Sequence, residues 1–439
     1  MKILVLGSGG REHALVWKLS HSPEVDKIFC IPGNAGISSL AHCVEIKDTE
    51  RILNFVKENK IDITLVGPEA PLVNGIVDKF EKENLKIFGP NKEAAMIEGS
   101  KVFAKLFMEK HGIPTANFRV FESPNAAEKY FLSTDFPIVI KADGLAAGKG
   151  AFVVKNRDEA FEVIDKVMRQ KLFGDSGDRI IVERFLKGRE VSALAFCDGK
   201  SIVPMVSSMD YKKAYDSDLG PNTGGMGAIA PAPHYTKDIA SITVRNIFLN
   251  VIEGLQREGI SYKGVLYAGL MITENGPKVL EFNCRFGDPE TQVILPLLKT
   301  DLSHVVQAVI EGELAHCPVE WFDSVSLCVV AVSQGYPLKY RKGFKILGLD
   351  EIDNDVMIFH AGTKRTDQGI VTNGGRVLSV CATNSHFSKA RTRVYRSLKK
   401  IQFEGMRYRK DIGANLSDSS SEFHRSVEDI QSSALPNSG

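Results

Sequence analysis

The stretch Lys278 to Gln292, KVLEFNCRFGDPETQ, concentrates the side chains best suited to phosphate chemistry. Read as a strand, its period of two puts Leu280, Phe282, Cys284 and Phe286 on one face and Val279, Glu281, Asn283 and Arg285 on the other. The first face reads as core and the second as a polar array. Glu281 and Asn283, roughly 7 Å apart by the rise of a strand, are oxygen ligands suited to magnesium ions bridged by phosphate. Arg285 on the same face can hold a developing phosphoryl or acyl-phosphate charge, and the GDPE turn brings Asp288 close to it. An edge strand with a solvated polar face is the competing reading, and it gives no reason for an asparagine inside a β-rich run.

A second candidate is PIVIKADGLAAGKGAFVV, residues 137 to 154. Two short strands flank a loop of small residues, with Lys141 near the end of the first and Gly144, Gly148, Lys149 and Gly150 in the loop. It is not a Walker A loop, because Asp143 and Gly150 stand where that pattern needs Gly and Ser or Thr. A glycine-rich hairpin can instead fold over triphosphate oxygens, with backbone amides and lysines neutralising charge. In GSGGREHA, residues 7 to 14, Glu12 replaces the third glycine of the dinucleotide fingerprint, and the next strand ends in Cys30-Ile31-Pro32 without a ribose-binding acid. NAD is therefore not the expected ligand. What remains at Gly9 and Gly10 is a turn opening a helix, either an anion site on backbone amides or a tight turn alone.

Two weaker signals accompany these. RIIVERFLKGREVSALAF (179 to 196) is a strand that pauses at Lys187-Gly188, where backbone groups can meet an adenine edge and Glu190 can accept ribose hydroxyls. GPNTGGMG (220 to 227) lets backbone approach a small ligand closely, with Asn222 and Thr223 beside it.

The elements that must position these residues fall into three blocks. Residues 1 to 100 run strand, glycine turn, helix, strand, which predicts a doubly wound parallel α/β domain with ligands at the carboxyl ends of its strands. A helix over 100 to 112, SKVFAKLFMEKHG, opens a central block to about 322 in which antiparallel strands dominate. From VSLCVVAV at 325 a glycine-containing β-rich domain (323 to 413) follows, with a basic amphipathic helix at 389 to 400. Residues 414 to 439 hold eight serines and few large apolar side chains, which predicts a flexible tail.

Composition sets the limits. Lysine and arginine total 55 against 54 acids, a formal charge of +1, so no polyanion-binding surface is indicated and nucleic acid is not an expected partner. Seven cysteines without a CxxC pair fit free thiols in a reducing compartment, and the cytoplasm is the expected location. The start MKILVLGSGG is too short an apolar run for a signal, and no apolar stretch predicts a membrane span.

RFGDPETQ (285 to 292), with GSGGREHAL, KADGLAAGKG, GPNTGGMG, LYAGLM (266 to 271), FHAGT (359 to 363), TNGGRVL (372 to 378) and YRKDIG (408 to 413) in the same order, resembles the phosphoribosylamine–glycine ligase (glycinamide ribonucleotide synthetase) family of the ATP-grasp superfamily over residues 1 to 413. The resemblance implies an N-terminal α/β substrate-binding domain (1 to 100), an ATP-grasp domain (101 to 322) with a small lid at about 121 to 187, and a C-terminal β-rich domain. It further implies ligation of glycine to 5-phosphoribosylamine through a glycyl phosphate, in purine biosynthesis, by a monomer acting on small molecules. ATP would meet Lys105, Lys141, Gly144, Gly148, Lys149, Gly150, Glu183, Phe185, Leu186 and Glu190, with Mg2+ or Mn2+ on Glu281 and Asn283. The other substrates would meet Gly9, Gly10, Arg11, Glu12, Gly67, Pro68, Glu69, Asp210, Lys212, Asn222, Thr223, Gly224, Gly225, Arg285 and Asp288, and Arg285, Lys141 and Asp288 would carry catalysis. Where the family reads QDHKR, this chain has Met209-Asp210-Tyr211-Lys212-Lys213, which keeps Asp210 and Lys212. Another ATP-grasp ligase or carboxylase would share the nucleotide residues and differ in its acid and amine. A nucleotide-binding regulator without turnover would not need Glu281 and Asn283.

Overall fold

A computed structural model describes residues 1–146 and 149–416, so Gly148 and the expected tail from Ser417 onward lie outside the described residues. The N-terminal sheet has five parallel strands in the order His42–Cys43, Lys27–Pro32, Lys2–Gly7, Ile63–Val66, Ile87–Phe88. Its central strand is buried on both faces from Ile3 to Leu6, as a parallel sheet covered by helices requires. A helix spans Thr49–Asn59, and Asp48 caps it by accepting from the Arg51 amide at 3.0 Å. Two short helices, Glu69–Val73 and Ile76–Lys82, follow, divided at Gly75 with φ +79°.

The central block contains two antiparallel sheets of four strands. One, the lid sheet, orders Phe118–Phe121, Ile180–Arg184, Ile138–Ala142 and Ala151–Val154 over its own core around Phe131, Ile140 and Ile164. The other orders Ile202–Pro204, Arg189–Cys197, Gly264–Thr273 and Gly276–Asn283. The chain passes between them at residues 185–188, between the strands Ile180–Arg184 and Arg189–Cys197, where the sequence predicted a pause.

A fourth sheet orders Met209–Asp210, Gly227–Ala230, Val325–Ser333, Arg376–Asn384 and Val356–His360, with Met406–Arg407 also beside Val325–Ser333. Its first two strands come from the middle of the chain, so the glycine loop between them is held on the C-terminal body.

The strand Gly276–Asn283 departs from a strict period of two. Gly269 pairs with Glu281 while Leu270 pairs with Val279, so Leu280 is an extra residue in the ladder. Such a bulge turns the chain by one side-chain position. Val279, expected on the polar face, is fully buried with Phe282, and Leu280, expected in the core, lines the cavity described below.

Just past this strand Phe286 fixes the segment that carries Arg285 and Asp288. It stacks on Phe88 of the N-terminal sheet at 6.2 Å and meets Phe196 edge-on at 6.1 Å, within one core shared by both domains. Phe286→Ala is expected to cost about 3–5 kcal/mol, read as a lowered urea midpoint, and to reduce turnover further in the protein that remains folded. An unchanged midpoint would remove the role given to this ring.

Candidate active site

One cavity of about 500 Å³ lies where the lid sheet, the second antiparallel sheet, the N-terminal domain and the C-terminal body meet. On its lid side, Lys105 from the helix Lys101–Lys110 and Lys141 from the lid converge on Glu183, with Nζ to carboxylate distances of 3.2 and 2.9 Å. All three side chains are buried. Lys105 also donates to Thr115 Oγ1 at 2.6 Å, and Lys141 to the Leu280 carbonyl at 2.8 Å, so the bulged residue and the lysine fix each other. Burial, aided by the charge of Lys141, outweighs Glu183 and brings the Lys105 pKa down to about 8. Glu183, Phe185, Leu186 and Glu190 all line the cavity, with Val139, Met108 and Leu280 as apolar walls suited to a base.

The loop that follows the strand Ile138–Ala142 is anchored at its start. Asp143 accepts from Ser100 Oγ at 2.8 Å, the Val102 amide at 3.1 Å and both ends of the Arg179 fork at 3.0 and 2.6 Å. Gly144 follows at φ +94°, where a Cβ would come within 2.7 Å of Ser176 Oγ. Gly150 lines the cavity, while Lys149 donates to the Pro337 carbonyl of the C-terminal body at 3.2 Å.

Opposite stand Glu281, Asn283 and Arg285. Arg285 is clamped between Glu98 at 2.8 Å and Glu69 at 3.3 Å and donates to Asn283 Oδ1 at 3.1 Å. Burial acts to raise the Glu281 pKa, but Lys212, Lys101, Lys141 and Arg285 together hold it below the usual carboxylate range. Glu281 is thus an ionised carboxylate, and no hydrogen bond or ion pair within bonding distance engages it among the described residues. With the Asn283 oxygen two residues away it fits a hard divalent cation that takes its other ligands from phosphate. No cluster of three or more His, Cys, Asp or Glu exists among the described residues to hold a metal unaided.

Asp288 lies in the same wall, but its direct partner is Arg376 at 3.0 Å, with Gln292 donating at 2.7 Å. Burial opposes ionisation of Asp288, and Arg376 followed by Arg11 overcomes it, so its pKa lies low. Lys212 pairs with Glu190 at 2.7 Å and reaches Asp210 only at 3.9 Å. Burial accordingly pushes Asp210 up to about 7 despite Lys212. Asp210, Lys212, Asn222, Thr223 and Gly224 line the cavity, and Gly225, at φ +108°, packs so closely on Pro289 that a Cβ would lie 2.3 Å from its ring. The changed side chains at 209 and 211 point elsewhere: Met209 and Tyr211 pack on the C-terminal core, and the Tyr211 hydroxyl accepts from the Gly413 amide at 3.2 Å.

The N-terminal contribution is narrower than the sequence implied. Arg11, Pro68 and Glu69 line the cavity. Glu12 turns back into the glycine turn, taking the Gly9 amide and Arg11 Nε at 2.5 Å each, and a Cβ on Gly67 would lie 2.1 Å from it. One amide of the expected anion site is therefore already occupied, and Gly9, Gly10 and Gly67 serve close packing around Glu12 and Gln292.

Sequence reasoning gave no role to Arg376, Glu98, Lys101, Tyr267, Glu290 or Tyr336. Tyr267 donates to Glu290 at 2.7 Å in the cavity wall. The motifs LYAGLM and TNGGRVL held the only signal for Tyr267 and Arg376.

The chain matches the phosphoribosylglycinamide synthetase N domain at residues 1–98, the ATP-grasp (A) domain at 99–291 and the C domain at 326–415. It is 55% identical over 416 residues to the phosphoribosylamine–glycine ligase of Caldanaerobacter subterraneus subsp. tengcongensis, covering 94% of this chain and 100% of that one. It is also 47% identical over 421 residues to the human trifunctional purine biosynthetic protein adenosine-3, of which the match covers 42%. Among solved structures, the phosphoribosylamine–glycine ligase of Thermotoga maritima superposes with a TM-score of 0.82 at 36% identity, covering 94% of this chain and 100% of that one. A biotin carboxylase domain from Hydrogenobacter thermophilus, solved with MgADP and bicarbonate, has a TM-score of 0.71 at 14% identity over 98% of both chains, a likeness of fold alone.

Two outcomes test this geometry. Glu281→Gln is expected to keep the melting temperature and lose on the order of 10²–10³-fold in turnover, and full activity at limiting magnesium would refute the metal assignment. Because the folded Lys105 pKa is lowered to about 8, its charge is lost as pH rises through that value. Nucleotide affinity, measured by calorimetry, should therefore weaken above about pH 8, and Lys105→Arg should move that limb upward.

Proposed function

The chain belongs to the phosphoribosylglycinamide synthetase family, and from that premise we propose that it ligates glycine to 5-phosphoribosylamine, cleaving ATP to ADP and phosphate. One observation carries the reading. A single cavity is lined by the lysines suited to a triphosphate, by Glu281 and Asn283, and by Arg11 and Glu69 of the N-terminal domain, and no Ser, Cys or His side chain lines it among the described residues. Nucleotide, acid and amine can therefore meet without an enzyme nucleophile.

The glycine carboxylate attacks the γ-phosphorus, an O–P bond forms, and the bond to ADP breaks, giving glycyl phosphate. The amine of phosphoribosylamine then attacks the acyl carbon, loses a proton, and inorganic phosphate leaves. Lys105 and Lys141 offset charge on the triphosphate, and Arg285, fixed by Glu69 and Glu98, faces the transferring group where charge develops. Glu281 and Asn283 would hold Mg2+ or Mn2+, which supplies further neutralisation of the phosphate oxygens. The ion pair with Arg376 makes Asp288 a weak base, so its part is to orient an amine rather than to remove its proton. Asp210 and Lys212 would meet glycine, and the backbone at Glu183, Phe185 and Leu186 the adenine, because the Glu183 side chain is engaged by lysines.

All seven cysteines are free, which fits work in the reducing cytoplasm. Among the described residues no helix is long and apolar enough to cross a membrane. The substrates are small molecules.

Glycine labelled with oxygen-18 in its carboxylate should pass one label to inorganic phosphate, with ADP as the nucleotide product. Label in AMP, or efficient ADP formation with bicarbonate in place of glycine, would overturn the reading.

A further inference from the structure

The glycine loop at 223–225 is pinned from the C-terminal body as well as from its own domain, where the Lys212 carbonyl accepts from the Thr223 amide and hydroxyl at 2.8 Å each. The Gly224 amide donates to the Tyr336 hydroxyl at 2.9 Å, and the Gly224 carbonyl accepts from Arg376. The same guanidinium donates to the Asp288 carbonyl at 2.8 Å and to its carboxylate at 3.0 Å. One side chain thus joins two separate segments of the cavity wall, the loop and the Gly287–Pro289 turn. The fit is close: a Cβ on Gly224 would lie 3.1 Å from Arg376 Cζ and 3.2 Å from the Tyr336 hydroxyl, and one on Gly375 would lie 2.2 Å from the Tyr336 ring.

The planar fork reaches these three acceptors from two separate nitrogens, a spread that the single ammonium nitrogen of lysine does not offer. We propose that Arg376 and Tyr336 are positioning residues for the ligation, locking the loop onto the Asp288 turn so that the acyl phosphate faces the amine and not water. The proposal rests on the glycyl phosphate reading above. If the lock loosens, water attacks the acyl carbon, the C–O bond to phosphate breaks, and glycine and inorganic phosphate leave with ATP spent and nothing joined.

The ratio of ADP to ligated product reports this directly, and a purely structural tie would not move it. Tyr336→Phe keeps the packed ring and removes only the acceptor, Arg376→Lys keeps charge beside Asp288 but not the fork, and Arg376→Met keeps neither. Wild type should give a ratio of one. Arg376→Met should release at least about twofold excess ADP and raise the KM for glycine about tenfold, the scale of one lost charge-assisted hydrogen bond. The KM for ATP should stay within about twofold by the same argument, since neither residue meets the nucleotide side. Arg376→Lys should recover part of the coupling, and Tyr336→Phe should show excess ADP at an unchanged melting temperature. If Arg376→Met fails to fold, Tyr336→Phe decides. Ratios of one and an unchanged glycine KM in every folded variant would overturn the proposal. Wild type yielding no product from glycine and phosphoribosylamine would instead overturn the substrate reading, a distinguishable result.

Discussion

Two buried lysines share one buried carboxylate, and the rest of the site is arranged around that arrangement. A charge removed from water is tolerated only with a partner close by. Here one carboxylate serves two ammonium groups, Lys105 from the large body and Lys141 from the lid, both within 3.2 Å of Glu183. The Lys105 contact with Glu183 and the Lys141 hydrogen bond to the Leu280 carbonyl tie the lid sheet to the body at the cavity. The sharing of one carboxylate also leaves a surplus of positive charge facing inward, which is the electrostatic condition for receiving a polyphosphate.

The same balance recurs across the cavity in a different form. Arg285 sits between Glu69 and Glu98, Arg376 beside Asp288, and Lys212 beside Glu190. Lys212 and Glu190 are near neighbours in one domain, but the pairs of Arg285 with Glu69 and of Arg376 with Asp288 join distant parts of the chain, so the cavity gathers charges from all three domains. Glu281 is the exception, ionised by the summed field of four cations but claimed by none of them at bonding distance. That combination suits a ligand-bound cation better than a structural role.

Backbone irregularity does the aiming. The bulge at Leu280 sends Val279 into the core and turns the Leu280 carbonyl to Lys141, while Glu281 remains on the cavity side. A regular strand would have placed these residues as the alternation of the sequence implied. Close glycine contacts do the same for the loop at 223–225, whose neighbours Pro289, Arg376 and Tyr336 leave no volume for side chains.

The sequence by itself determined the parallel N-terminal sheet, the antiparallel central strands, the β-rich C-terminal block and nearly every motif that reaches the cavity, because hydrophobic periodicity and turn residues are local properties. It also singled out Lys105, Lys141, Glu281, Asn283 and Arg285 through spacing and resemblance, and all five line the cavity. Tertiary structure alone decided who partners whom. Glu183 is spent on lysines, Asp288 answers to Arg376, and the glycine loop belongs to the C-terminal sheet. These pairings join residues as many as 152 positions apart, as Gly224 and Arg376 are, and no local pattern encodes such a distance. They follow from the need to compensate each buried charge once the sheets have closed together.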